Sequence, residues 1–253
     1  IEYSFYRVNL TMVKKDSIFK VGNFNDLTFT FNEEVTEVFE DMIDRSVPGY
    51  TSSLRLIENL SRKYFIEGTH CYDLGCSLGA SSMSLIKAMG KREGKIFAID
   101  NSPAMIAACE QKCADLIKTG KVKFIKQDVN EAQIDKASVV VINFVLQFLN
   151  SKDRDGLLKK VFLGMKQGAL LILSEKIHFD NKFRNQTIDN LHHQFKSNNG
   201  YSKMEISRKR DALEGVLMTD LETLHLKRLE SIGFKKVRKV MTNLNFMTLV
   251  AEK

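Results

Sequence analysis

The sequence predicts an α/β fold built on a mostly parallel sheet, and three observations predict it. Strand-length hydrophobic runs alternate with helical patterns from His70 to Leu173, and repeated βα units set parallel strands side by side with helices on both faces. One of these runs stops at Tyr72-Asp73-Leu74-Gly75-Cys76-Ser77-Leu78-Gly79 and feeds a helical pattern from Ala80. Gly75 lets the backbone turn and approach a ligand, while the helix start aims free N–H groups at the same place. The chain then closes with a helical pattern over Thr219–Ile232 and two strand-like runs, Lys236–Met241 and Phe246–Ala251. Their tight connection at Thr242–Asn245 predicts a hairpin that adds an antiparallel strand to the sheet.

The remaining elements follow in chain order. Met12-Val13-Lys14-Lys15 reads as a natural start, so residues 1–11 are left out of the fold. Residues 1–31 form an N-terminal arm, packed by Phe19, Phe24, Phe29 and Phe31. Val35, Val38, Phe39, Met42 and Ile43 share one face of a helix over Asn32–Asp44, with Asn32 as its N-cap. Pro48-Gly49 stops that helix, and a second runs over Thr51–Tyr64, completing a helical pair over residues 32–65. The core, residues 70–175, reads as strand 70–74, helix 80–89, strand 96–99, a helix over 103–118 opened by Pro103, strand 122–126, strand 138–144, helix 152–165 and strand 169–173. Residues 176–218 form an insertion of two helices joined at Asn198-Asn199-Gly200, lying over the strand ends, and residues 219–253 hold the last helix and hairpin.

Composition bounds the function. The chain has 253 residues, 43% of them hydrophobic, enough for one sizeable core. No apolar run approaches a membrane span, and no signal-peptide pattern opens the chain. The net charge of +7 favours an anionic partner without identifying it. No basic tract interleaved with aromatics marks a nucleic-acid surface. Of the four cysteines, Cys71 and Cys76 fall on the strand and in the turn and read as small packing residues in a reducing cytoplasm; Cys109 and Cys113 lie one helical turn apart but lack a second ligand pair, so no metal is expected.

Ligands in open parallel sheets bind outside the carboxyl ends of the strands, at the topological switch. Asp73–Gly79, Asp100, Asp128 and Asn143 all fall at such ends. Asp100 closes the strand after the glycine turn, where an acid can bind the two hydroxyls of a ribose. The turn is not GxGxxG, since Ser77 stands where a dinucleotide fold places glycine. Tyr50, at a helix start, reads equally as a lid over a small ligand or as a packing aromatic. His192 and His193 are adjacent, and neighbouring side chains on a helix point about 100° apart, which disfavours a metal pair. Arg208-Lys209-Arg210 reads either as a solvated face or as part of a site over the rim.

Longer strings carry a specific resemblance. Asp73-Leu74-Gly75-Cys76 with Gly79, followed by Ala98-Ile99-Asp100, is similar to the first motifs of class I S-adenosylmethionine-dependent methyltransferases, whose sheet has seven strands. Asp41–Tyr50, Tyr72–Ala80, Ala98–Met105, Asn143-Phe144 with Leu146–Leu149, Leu173–Lys176, His192-His193, Asn199–Ser202 and Glu205–Ser207 together resemble the carboxy-S-adenosyl-L-methionine synthase family. The resemblance spans about residues 12–252; residues 1–11 match nothing in it, and the residues around Arg208 depart modestly.

The resemblance implies an enzyme, a transferase that moves a carboxyl unit from prephenate to the methyl carbon of S-adenosylmethionine and releases phenylpyruvate. A sulfonium ylide would capture the carbon dioxide, and a dry site would protect it. The product, carboxy-S-adenosylmethionine, would supply a second enzyme that modifies the wobble uridine of tRNA, so direct tRNA binding is not implied. The resemblance also implies a homodimer and these site residues: Tyr50 at the amino-acid end, Gly75, Cys76 and Ser77 in the turn, Asp100 and Asn101 at the ribose, Asp128 and Val129 at the adenine, and Asn143 beside the sulfonium. Arg210 would bind the new carboxylate through its planar fork, with Tyr201 and the two histidines shaping the prephenate pocket. Two other readings stay open: a true methyltransferase acting on a small acid or tRNA, and a non-catalytic RNA-facing scaffold. Asn143-Phe144-Val145-Leu146 is not the Pro-Pro-Tyr type of motif expected for base amino methylation, and a scaffold would have no need of Asp100.

Overall fold

Asn32 accepts a hydrogen bond from Val35 N at 3.0 Å and caps α1 (Glu33–Ser46), whose first turn carries Glu33 and Glu34, the sign that suits a helix N-terminus. This computed structural model describes residues 14–20 and 28–253. Expectations for residues 1–11, Met12 and Phe24 lie outside the described residues. Within the arm, Phe19 is buried against Val35, Val38 and Met42, and Phe29 meets Phe31 edge-on at 5.2 Å. Gly49 then takes φ +80°, and a Cβ there would lie 2.2 Å from the Asn243 side chain, so the turn requires glycine twice over. α2 (Tyr50–Tyr64) follows directly, placing Tyr50 at its first position.

The sheet is built from β1 (Thr69–Leu74), β2 (Gly94–Asp100), β3 (Val122–Lys126), β4 (Ala137–Asn143) and β5 (Met165–His178), then β6 (Asp220–Leu221), β7 (Lys235–Asn243) and β8 (Phe246–Glu252). Its order is β3-β2-β1-β4-β5-β8-β7, with β6 pairing the far end of β5. The first five strands are parallel; β8 runs antiparallel to β5, and β7 antiparallel to β8. From β1 the chain winds outward to β3 and then returns to β4, so the switch crevice opens beyond the ends of β1 and β4. The seven-stranded path is as expected, and β6 makes an eighth strand. It forms because β5 does not stop at Leu173: it continues to His178, and Ile177 and His178 pair with Asp220 and Leu221.

Helices cover both faces. α3 (Ala80–Met89) and α2 pack Leu85, Met89 and Ile57 against Val139, Val141 and Ile172, while α6 (Ser151–Gly164) and α9 (Glu222–Ile232) pack Leu157, Val161 and Leu229 against Val140, Ile142 and Leu171. The alternation along β4 explains its unbroken hydrophobic run, since both faces are covered. The helix expected over 103–118 divides at the buried Cys113 into α4 (Pro103–Lys112) and α5 (Ala114–Lys118). The insertion is α7 (Lys182–Asn198) and α8 (Lys203–Ala212), turned at Gly200. Ser202 and Glu205 form a reciprocal capping box on α8.

Candidate active site

The cradle after β1 is held by backbone geometry. Gly75 N and Cys76 N donate to Ile99 O at 2.8 and 3.0 Å, which ties the turn to the neighbouring strand. Gly75 has φ +77°, and a Cβ on it would lie 2.4 Å from the Val145 side chain. Ser77 sits in the left-handed region at φ +46°, a conformation that a non-glycine residue holds only under constraint. The constraint is Asp100: one carboxylate oxygen accepts from Ser77 N at 2.8 Å and the other from Ser102 N at 2.9 Å. Burial raises the Asp100 pKa, opposed by these backbone donors. Each oxygen retains a lone pair for a ligand hydroxyl.

A cavity of about 370 Å³ opens over the cradle, within the ~300–1,000 Å³ of small-molecule sites. Gly75, Cys76, Ser77, Asp100 and Asn101 form one wall. Asp128 and Val129 form the next, where Asp128 accepts from Asn130 N at 2.8 Å and caps a short 3₁₀ turn. Asn143, at the end of β4, and Tyr50 complete the set. Phe144 holds φ +63°, unusual for a bulky residue, and its ring lies 6.5 Å from Tyr50 and 5.8 Å from Phe246. Burial raises the Tyr50 hydroxyl well above its ordinary range, keeping it neutral.

Two buried acceptors near the cradle have no partner among the described residues: Asn143 Oδ1 and Asp73 Oδ1. Asn143 Nδ2 donates to Ser81 Oγ at 3.3 Å, and Asp73 Oδ2 accepts from Ser82 Oγ at 2.6 Å. Desolvation pushes the Asp73 carboxyl up to about 7. The native state therefore keeps a proton that the unfolded chain loses near pH 4, and Asp73's contribution to stability is lost as pH rises from there through about 7. Asp73→Asn removes this term, so the drop in melting temperature of the ligand-free protein between about pH 5 and about pH 7.5 should shrink. An unchanged drop would show that Asp73 is not the group responsible.

Three expected residues, Tyr201, Arg210 and His193, are not brought to the cavity wall. Tyr201 is buried behind it, donating its hydroxyl to Asp16 while Arg45 stacks over its ring at 3.7 Å. This contact ties the insertion to the N-terminal arm, so Tyr201 sits in a structural network. Arg210 lies at the end of α8 with its side chain 63% exposed, bonded to its own neighbour Asp211 at 3.0 and 3.1 Å. Helical rotation turns its neighbour inward instead: Lys209 lines the cavity and donates to Ser46 Oγ at 3.0 Å. Arg208 turns to the arm, donating to Phe19 O and Lys20 O.

His192 also lines the cavity, its Nε2 lying 2.8 Å from Ser46 O. Burial lowers its pKa to about 3, so the ring is neutral at physiological pH. His193 is half-buried. Lys176 and Lys196 complete a cationic wall that the sequence reading did not anticipate, because one comes from β5 and the other from α7. Glu175 was also missed. Its buried carboxylate accepts from Val145 N, Leu146 N and Gln147 N at 3.2, 2.8 and 3.0 Å, holding the loop that forms another side of the cavity. No cluster of three or more His, Cys, Asp or Glu suited to a metal occurs among the described residues, and no helix among them is long and apolar enough to cross a membrane.

The Asp100 carboxylate beside a glycine cradle, together with the unpartnered Asn143 Oδ1 at the end of β4, suits a ligand that bears hydroxyls and a positive charge. A methyltransferase-domain family model matches residues 72–168. Similar solved structures include magnesium protoporphyrin IX methyltransferase of Synechocystis PCC 6803 with bound SAH, at TM-score 0.58 and 16% identity, covering 84% of this chain and 87% of that one. Human N-acetylserotonin methyltransferase in complex with SAM gives TM-score 0.59 at 16% identity, covering 87% and 55%. The fold is that of the class I S-adenosylmethionine-dependent methyltransferases.

Closer relatives narrow this. The carboxy-S-adenosyl-L-methionine synthase of Photorhabdus laumondii subsp. laumondii is 41% identical over 240 residues, 95% of each chain. That of Shigella boydii serotype 4 is 42% identical over 242 residues, 96% of this chain and 98% of the other. The chain belongs to the carboxy-S-adenosyl-L-methionine synthase family.

Proposed function

We propose that the chain converts S-adenosylmethionine and prephenate to carboxy-S-adenosylmethionine and phenylpyruvate, supplying the donor for 5-oxyacetic acid formation on the wobble uridine of tRNA. The observation that carries this reading is the meeting of two chemistries in one cavity: a cofactor cradle and a wall of buried cations. A neutral methyl acceptor needs no such wall, whereas a dianionic carboxyl donor does. The catalyst would work in the cytoplasm as a homodimer.

The balance of the reaction is simple. The sulfonium methyl loses a proton and forms a C–C bond to the carboxyl carbon that leaves prephenate. The electrons of the broken bond aromatise the ring and expel its hydroxyl, which leaves with the methyl proton as water. The protein's part is to hold and to exclude water. Asp100 and Asn101 would fix the ribose, Asp128 and Val129 would flank the adenine, Tyr50 would meet the amino-acid end, and Asn143 would sit beside the sulfonium. Phe144 and Phe246 would wall the reacting end with aromatic surface, which keeps water from a carbanion-like carbon. A role for Arg210 on the new carboxylate would require it to leave Asp211 and turn inward.

Mass spectrometry of small molecules released from freshly purified, denatured protein tests the reading. A compound heavier than S-adenosylmethionine by one carbon dioxide is the expected result, together with phenylpyruvate formation when prephenate is added. Turnover of S-adenosylmethionine to S-adenosylhomocysteine on an added acceptor, with no carboxylated product from prephenate, would establish a methyltransferase instead.

A further inference from the structure

The cationic wall is built from three elements. Lys176 comes from β5, His192 and Lys196 from α7, and Lys209 from α8. Its place relative to the reacting end follows from the aromatic contacts. Phe144, next to Asn143, meets Phe246, and Phe246 meets His192 at 5.1 Å while Lys176 Nζ lies 5.9 Å from the same ring. Lys176 thus stands across the Phe246 and Phe144 rings from the end of β4, and Lys196 lines the same cavity.

Their charges are unevenly balanced. Lys209 has Ser46 Oγ at 3.0 Å and Asp16 at 3.6 Å. Lys176 and Lys196 have no ion-pair or hydrogen-bond partner for their ammonium groups among the described residues, although Lys196 is only 8% exposed. The acid whose field reaches both is Asp189, an exposed residue of α7 beyond ion-pair distance. His192 is neutral and adds no charge. Buried charges are ordinarily paired, because desolvation is costly. Two unpaired ammonium groups facing one cavity are a site for an anion.

We infer that Lys176 and Lys196 form the subsite for the carboxyl donor, and that they hold the carboxylate the donor keeps rather than the one it gives up. This rests on the activity proposed above. The departing carboxylate becomes neutral carbon dioxide as its bond breaks. An ammonium clamped on it would stabilise the ground state more than the transition state and slow the reaction. The retained carboxylate keeps its charge throughout, so gripping it binds substrate and transition state alike. Burial, with repulsion from Lys176 and Lys209, lowers the Lys196 pKa to about 7, and an arriving carboxylate relieves that repulsion. The groups around Lys196 are Lys176 from β5, His192, His193 and Asp189 from α7, and Lys209 from α8.

The test uses full-length wild type, Lys196→Gln, Lys176→Gln and the conservative Lys196→Arg. Measured are kcat and KM for prephenate, the inhibition constant of phenylpyruvate, and S-adenosylmethionine affinity by calorimetry. Phenylpyruvate retains only the carboxylate assigned to the lysines. Each Gln variant should raise both the prephenate KM and the phenylpyruvate inhibition constant by about tenfold or more, with kcat within a few-fold of wild type. S-adenosylmethionine affinity should stay level, and Arg should restore part of the loss. A raised KM with unchanged phenylpyruvate inhibition would overturn the assignment, because the lysines would then hold the departing group. Unchanged KM, or S-adenosylmethionine affinity falling in step, would overturn it too. In wild type, phenylpyruvate binding near pH 8 should take up protons, read by calorimetry in two buffers of different ionisation enthalpy; an uptake that persists undiminished in Lys196→Gln would overturn the role of Lys196. A wild type that forms no carboxylated product from prephenate overturns the proposed activity and the subsite together, whereas an active wild type with indifferent lysine variants overturns the subsite alone.

Discussion

Asp100→Ala should weaken S-adenosylmethionine binding by about a hundredfold or more. Its carboxylate lies at the end of β2, against the cradle wall, with 9% exposure. Hydrogen bonds to a charged group contribute roughly 1.5–3 kcal/mol each, so losing two ribose contacts costs about 3–6 kcal/mol, and every ~1.4 kcal/mol is tenfold in affinity. The mutation acts a second time through the protein itself. Ser77 N and Ser102 N lose their acceptors, and Ser77 loses the bond that holds it at positive φ. Asp100→Asn keeps one acceptor and should fall between the two. Calorimetric titration with S-adenosylmethionine checks the order, and an Ala variant binding as tightly as wild type would remove the ribose from Asp100.

Glu175→Leu should lower stability more than any change at the ligand-facing wall. Three N–H groups, those of Leu146 and Gln147 buried and that of Val145 partly so, would lose their acceptor at once. Each such loss costs roughly 1–3 kcal/mol. Burial pushes the Glu175 carboxyl up to about 8 against the pull of these donors and of Arg154, so removing a costly buried acid offsets part of the loss. A net cost of about 3–5 kcal/mol remains, and at ~2–4 °C per kcal/mol for a chain of this size the melting temperature should fall by about 10 °C. The damage should reach the cavity. Val145, Gln147, Phe148 and Leu149 line it, and the Gln147 side chain accepts from Lys176 N at 2.9 Å, which sets where that lysine starts. Thermal melting with and without S-adenosylmethionine measures both effects. A melting temperature within a degree or two of wild type would mean that the loop is held by something other than Glu175.

Much of the architecture is local and therefore legible in the chain. Asn32 announces a helix because its side chain can reach Val35 N, and Gly75 and Gly79 announce a turn because few other residues accept positive φ. The helix over Ala80–Met89 and the strand over Val122–Lys126 fall where period and composition put them. The cradle, Asp100, Asp128 and Asn143 were legible because strand ends of a parallel sheet meet at one rim whatever lies between them. Packing decided the rest. Period alone assigns no inward face to Arg208-Lys209-Arg210, all cationic, and only the docking of α8 on α1 and the arm turned Lys209 inward and Arg210 out. Tyr201 is claimed by Asp16 and Arg45, distant in sequence. Lys176 and Lys196 meet because β5 runs past Leu173 and α7 folds back over its end, and Glu175 finds three N–H groups in a loop thirty or so residues earlier. Backbone period and turn chemistry depend on neighbours along the chain, and the sequence carried them; which side chains share a cavity depends on how layers dock, and only the tertiary structure decided that.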